Sequence, residues 1–259
     1  MDFELFLMKE ARYWDETIRK MPDSHLEKHI ASYKAKEHLN LVNKWMEPKF
    51  DTALKTDLFE ECFERDSFFS YVDCNELYGI DISEEAVKQA KTNFKSLRLQ
   101  RADIRDMPFE DEKFDLIISN STLDHMPLKE LPKAIKEMKR TLKDQGTLII
   151  TIDNKHNLLY YFGLFLGQKL GFLPFYQDRC YSKCEIEFLL EEQGLKVVDI
   201  DAIFHVTPPI STFLRYLERI NKKLAGNIAK YVVDISMRIS ELNENLATGR
   251  LLCFKVKKR

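Results

Sequence analysis

The sequence predicts an α/β protein: a doubly wound, mostly parallel sheet of seven strands with helical segments lying over it. Three observations carry that reading. From residue 51 onward, short apolar runs alternate with amphipathic patterns, the rhythm of strands joined by crossover helices. Two of the runs, Leu77-Tyr78-Gly79-Ile80-Asp81 and Phe114-Asp115-Leu116-Ile117-Ile118-Ser119-Asn120, end in polar groups, where such sheets gather their ligands. The chain has 259 residues, 44% of them hydrophobic, with 18 Phe and 10 Tyr to bury, which is enough for one sizeable core with appendages.

The elements follow in order. Phe3, Phe6, Leu7, Ala11, Trp14 and Ile18 recur at helical steps. Met21-Pro22-Asp23-Ser24 interrupts them, and Ser24 with Glu27 marks the start of a second helix through Tyr33, Leu39, Val42 and Trp45. Residues 1–50 therefore read as an N-terminal helical flap, ahead of a sheet domain spanning 51–259. Strands are expected at 52–58, 77–82, 97–100, 114–119, 146–152, 196–202 and 251–256. Helices are expected at 59–71, 84–96, 128–142 and 184–193, with Gly194 free to take the positive φ of a helix C-cap. Two inserts, 154–181 and 203–250, fall outside the alternation. The first is aromatic and the second helical, and the second serves equally well as a lid or as a homodimer interface.

Composition excludes several classes. A net charge of −2 gives no field for gripping nucleic acid. No apolar run reaches the roughly 18 residues of a membrane span, so stable insertion is not expected. The opening residues carry acids where a signal peptide needs basic ones. Five scattered cysteines fit reduced thiols, and the expected location is cytoplasmic.

Asp81 ends an apolar strand and is followed by Ser83, a natural helix N-cap. A carboxylate there can accept hydrogen bonds from a ribose diol, or it can simply cap the helix. Ala102-Asp103-Ile104-Arg105-Asp106-Met107-Pro108-Phe109 and Phe114-Asp115-Leu116-Ile117-Ile118-Ser119 follow in order, and then Arg140-Thr141-Leu142-Lys143-Asp144-Gln145-Gly146. Together these segments resemble the class I S-adenosylmethionine-dependent methyltransferases, a Rossmann-like family, over residues 50–202. The resemblance implies a last strand inserted antiparallel beside the fifth. It implies S-adenosylmethionine as cofactor and S-adenosylhomocysteine as product. Asp81 would bind the ribose hydroxyls and Ile82 would pack on adenine. Asp103 would accept the adenine amino group, with Ile104 against the ring, and Ser119 and Asn120 would line the floor beneath the methyl group.

One segment departs from the family. The glycine-rich first turn is replaced by Ala53-Leu54-Lys55-Thr56-Asp57-Leu58-Phe59-Glu60-Glu61, which has no glycine and cannot offer the same backbone approach. Either cofactor binding is lost and a shell serving assembly remains, or Thr56 and Asp57 use side chains instead, Asp57 pairing with the cofactor's ammonium group. The persistence of Asp81 and Asp103 favours the second reading. The same gap argues against a nicotinamide cofactor, whose pyrophosphate needs that approach.

His125 is the expected general base, with Asp124 beside it, since an imidazole titrates near neutrality; a loop-bonding histidine is the competing reading. Tyr13, Trp14, Asn154, Tyr176 and His205 are expected to line the pocket of a small, partly apolar or aromatic acceptor methylated on oxygen or nitrogen. An interfacial helix at a membrane surface is the competing role for residues 158–175. No metal is expected. His25 and His29 share a helix face without the adjacent glutamate of a zinc protease, and Cys180 and Cys184 lack a second pair.

Overall fold

The computed structural model describes residues 3–20, 25–46, 49–63, 68–169, 179–205, 208–240 and 246–259. A seven-stranded sheet has the order β3-β2-β1-β4-β5-β7-β6. Its strands are β1 (Phe50–Lys55), β2 (Cys74–Asp81), β3 (Arg98–Arg101), β4 (Phe114–Asn120), β5 (Leu142–Asp153), β6 (Leu195–Ile203) and β7 (Leu251–Lys258). Strands β1 to β5 pair in parallel, and β7 runs antiparallel between β5 and β6, as expected.

Both faces of the sheet are buried, which is why its central strands are continuously apolar rather than alternating. On one face, α4 (Leu131–Thr141) and α6 (Lys183–Glu192) place Leu131, Ile135, Met138, Ile186 and Leu190 against Ile117, Leu148, Ile150 and Phe254. On the other, α2 (His25–Trp45) lays Tyr33, Leu41, Val42 and Trp45 over Ala53, Leu116, Ile118, Ile149 and Cys253. Beside it, α3 (Glu84–Asn93) packs Ala86, Val87 and Ala90 against Leu58, Cys62 and Leu99. α1 (Phe3–Lys20) lies against α3, and a hairpin of α7 (Pro208–Ile220) and α8 (Lys222–Ser240) lies against α2. α5 (Leu158–Lys169) contacts α7. No helix among the described residues is long and apolar enough to cross a membrane.

Local signals explain most boundaries. Ser83 caps α3 by accepting from Ala86 N, and Ser182 with Glu185 forms a reciprocal capping box at α6. Gly194 takes φ 70° after α6, as its position predicts. The exceptions cluster after β1. The strand expected to reach residue 58 stops at Lys55: Thr56 N–H makes the last ladder bond to Ile118 O at 3.0 Å, and Leu58 N–H donates to the Asp81 side chain instead of to a strand. No α-helix stands among the described residues of 59–71; two 3₁₀ turns, Glu61–Phe63 and Phe68–Ser70, are found there instead. α3 ends at Asn93 rather than 96, and a 3₁₀ turn at Leu128–Glu130 precedes α4. Ser24, expected to cap α2, lies outside the described residues, as do the side chains of His25 and His29.

Candidate functional site

The carboxyl ends of β1, β2, β4 and β5 converge on one edge of the sheet, and the turn after β1 is its least ordinary part. Lys55 closes β1 with its side chain fully buried. Its ammonium donates to Asp57 Oδ1 at 2.9 Å, Glu60 Oε2 at 2.7 Å, Glu61 Oε2 at 2.9 Å and the Asp57 carbonyl at 3.1 Å. Asp57, Glu60 and Glu61 gather carboxylate oxygens closely enough to resemble a metal site, but a lysine supplies the cation. Burial pushes the Lys55 ammonium down, and the three carboxylates outweigh it and hold it well above its usual range. Burial also opposes ionisation of Glu60, yet Lys55 brings its carboxyl down to about 2. Burial raises the Asp57 carboxyl, and Glu60 and Glu61 add to that, against the pull of Lys55.

This turn is wired to its neighbours. Glu60 Oε1 accepts from Asn120 Nδ2 at 3.0 Å, and Asn120 Oδ1 accepts from Thr151 Oγ1 at 2.6 Å, so β1, β4 and β5 share one polar chain. Thr56 Oγ1 lies 3.4 Å from Thr122 Oγ1. Gly79 in β2 makes room for the turn: a Cβ there would stand 2.7 Å from the Leu58 side chain.

Asp81 joins the first turn to the second. Its Oδ2 accepts from Leu58 N at 2.9 Å and its Oδ1 from Ser83 N at 2.8 Å. Burial raises its carboxyl to about 6 in spite of those two bonds. Helix α1 lies across this edge. Asp15 accepts from Ser83 Oγ and from Glu85 N, and Arg19 pairs with Glu85 at 3.2 Å. Further along, Glu10 pairs with Arg105 at 2.8 Å, and Arg105 Nε donates to both oxygens of Asp103 at 2.8 and 3.0 Å. Ile82 is half-buried, whereas Ile104 lies in the main core.

Strand β4 ends in Ser119 and Asn120, both buried, and Ser119 Oγ has no hydrogen-bond partner among the described residues. Ser121 then adopts φ 48°, an uncommon conformation for a non-glycine residue, held by Thr151 O and Oγ1 at 3.0 Å each. That bend sets the 3₁₀ turn Leu123–His125. His125 is half-buried, its ring 4.8 Å from that of Trp14, edge to face. Trp14 in turn meets Tyr13 at 5.4 Å. Asp124 is buried, and its Oδ2 accepts from Asp153 N at 3.2 Å. Asp153, Tyr160 and Arg250 form a second polar group: Tyr160 donates to Asp153 Oδ2 at 2.6 Å, and Arg250 Nε lies 3.4 Å from Oδ1.

Two expected pocket residues turn out to be structural. Asn154 is wholly buried; its Nδ2 donates to Leu246 O and Gly249 O, and its Oδ1 accepts from His156 N. His205 lies 2.9 Å from Thr248 Oγ1 through Nδ1 and 3.2 Å from Ala202 O through Nε2, which leaves no ring nitrogen for an acceptor. Burial lowers its pKa. Tyr176 lies outside the described residues. Asp57 faces an ammonium, as the sequence suggests, but it belongs to Lys55. Sequence reasoning missed Lys55, Glu60 and Glu61, whose signal was a lysine ending an apolar strand with acids two, five and six residues on.

Comparison with known proteins places this geometry. Residues 61–150 match the methyltransferase domain family, a match that begins just after Lys55, Asp57 and Glu60. A solved S-adenosylmethionine-dependent methyltransferase of Thermotoga maritima superposes with a TM-score of 0.57 at 15% identity, covering 89% of this chain and 91% of that one. Residues 61–150 thus resemble a methyltransferase domain, and the sheet has the class I fold. An uncharacterized protein of Methanocaldococcus jannaschii is 27% identical over 218 residues, 73% of this chain and 92% of that protein. The demethylmenaquinone methyltransferase of Staphylococcus carnosus is 35% identical over 77 residues, covering only 29% of this chain and 31% of the enzyme.

Class I methyltransferase domains imply S-adenosylmethionine, and the residues at these strand ends fit that donor. The strand ends are rich in carboxylates, three of them around Lys55 with Asp81 beside them, and the donor carries positive charge at sulfur and at its amino group. Asp57 Oδ2 is buried with no hydrogen-bond partner among the described residues, as is Ser119 Oγ. Buried acceptors without donors are the feature a cationic, hydroxyl-bearing ligand would satisfy.

Proposed function

We propose that this chain transfers a methyl group from S-adenosylmethionine to an oxygen or nitrogen of a small, partly apolar acceptor. The observation that carries the reading is the carboxylate set at the ends of β1 and β2, next to a half-buried histidine at the end of β4. When bound, the donor supplies an electrophilic methyl on a cationic sulfur. The protein's part is placement and charge. Asp81 holds the ribose hydroxyls, Asp103 and Ile82 hold the adenine, and Asp57 with Glu60 faces the cationic end. Ser119 and Asn120 form the floor below the methyl.

His125 is the proposed base. It takes the proton from the acceptor's hydroxyl or amine as that atom attacks, and Trp14 fixes the plane of its ring. Alignment of the acceptor does the rest, since a positioned nucleophile needs little further help. Helix α1 serves as the lid, because its Glu10, Trp14 and Asp15 reach Arg105, His125 and Ser83 across the whole edge. The similarity to demethylmenaquinone methyltransferase over 77 residues supports methyl transfer.

Calorimetric titration tests the reading. S-adenosylmethionine and S-adenosylhomocysteine should bind with micromolar dissociation constants, and NAD should not bind. Absence of binding by both adenosyl compounds, with and without an acceptor mixture, overturns it.

A further inference from the structure

Away from the strand ends, three adjoining helices leave large apolar side chains in solvent. On α5 these are Leu158, Leu159, Phe162 and Phe165; on α7, Phe213, Tyr216 and Ile220; on α8, Leu224, Tyr231 and Ile235. Each is between 42% and 68% exposed. Within each helix the spacing puts them on one face, and α5 contacts α7 while α7 contacts α8. Exposed apolar groups clustered this way mark an interaction surface.

The charge beside that surface selects the partner. Residues 208–240 contain six basic and two acidic residues, a net +4 in a chain whose total is −2. Arg219, Lys222, Lys223, Lys230 and Arg238 are exposed. On α8, Lys223 and Lys230 immediately precede Leu224 and Tyr231, so two lysines, with the exposed Asp234 between their line and the apolar one, lie about 100° around the helix from the apolar stripe. Apolar stripe, flanking lysines and exposed tyrosine together are the pattern of a helix lying in a lipid headgroup layer. A second copy of the chain fits poorly, because a two-fold contact would set +4 against +4.

We propose that α5, α7 and α8 dock the chain on an anionic lipid bilayer, peripherally and reversibly. α5 starts only a few residues beyond Asp153, and its Tyr160 bonds that carboxylate, so docking would hold the carboxyl ends of β4 and β5 close to the lipid surface. The inference does not depend on the methyl-transfer reading.

Co-sedimentation of the full chain with vesicles tests it. The chain should pellet with phosphatidylcholine vesicles that contain phosphatidylglycerol, stay in solution with phosphatidylcholine alone, and detach as salt is raised. Lys222→Gln with Lys223→Gln should weaken binding about 25-fold, roughly fivefold per charge. Phe213→Ser with Ile220→Ser should abolish it, and unchanged thermal melting would show that both pairs fold. Equal pelleting with both lipids, or with neither, overturns the proposal. So does a dimer in sedimentation equilibrium that Phe213→Ser with Ile220→Ser converts to monomer, which would assign the face to a second copy.

Discussion

The turns after β1 and β2 lie side by side and are built in opposite ways. The second uses ordinary parts: Asp81 ends the strand, Ser83 caps the helix, and α3 follows. The first has neither glycine nor helix, and a buried lysine gathers three carboxylates to fix its path. The difference teaches that a turn can be shaped by a strand-end carboxylate and a helix cap or by a buried ion cluster. The two carry different liabilities. The cap is a neutral hydroxyl, whereas the ionic turn depends on every partner keeping its charge.

Removing the cation should break the first turn and spare the second. Lys55→Met leaves buried carboxylates uncompensated and should cost about 3–5 kcal/mol in urea unfolding. Adding Glu61→Gln should recover part of that loss. A cost below about 1 kcal/mol would mean that the cluster does not hold the turn. His125→Ala, outside both turns, should lower kcat about a hundredfold with the donor's affinity unchanged. A parallel loss of donor affinity would instead place His125 in the donor site.

Asp81 touches both turns, so it sharpens the comparison. Asp81→Asn should weaken S-adenosylmethionine about tenfold by calorimetry and cost about 1–3 kcal/mol in urea unfolding, because its single oxygen can serve only one of the Leu58 and Ser83 N–H groups. The wild-type carboxyl is raised from 3.8 to about 6 by burial. Donor affinity should therefore fall as pH drops through about 6, where a protonated group accepts fewer hydrogen bonds, and the variant should show no such step. Stability runs the other way for this group. The folded chain takes up the proton more readily than the unfolded one, so its contribution improves as pH falls from about 6 toward 4 and is lost as pH rises again. Glu60, held down to about 2, contributes above its usual 4.5 and loses that contribution only as pH falls toward 2. The smallest effect belongs to the second turn: Ser83→Ala, which removes a cap and a bond to Asp15, should cost about 1 kcal/mol in thermal melting.

Much of the sheet was legible because its signals are local. Apolar runs, the Ser83 cap and Gly194 each act over a few residues, and all seven strands stand where such runs were found. The helix expected over 59–71 failed for a physical reason. Glu60 and Glu61 both reach one ammonium, yet consecutive residues on an α-helix point about 100° apart. A buried ion pair five and six residues away thus overrode the pattern. The lysine itself reads as a solvated strand end, because burial of a charge is visible only once its partners are in place. His205 and Asn154 misled similarly: they stand near strand ends, but their bonds to residues 246–249 appear only in three dimensions.

The antiparallel strand β7 has a consequence for how the chain is made. Among the described residues β6 pairs only with β7, and β7 fills the gap between β5 and β6. On the ribosome, β5 and β6 emerge before their shared neighbour, and residues 204–250 must follow first. Throughout that interval two apolar strands present bare hydrogen-bonding edges to any passing chain. The fold locks when a late segment slides between two early ones, and chaperone demand during synthesis should peak in that window.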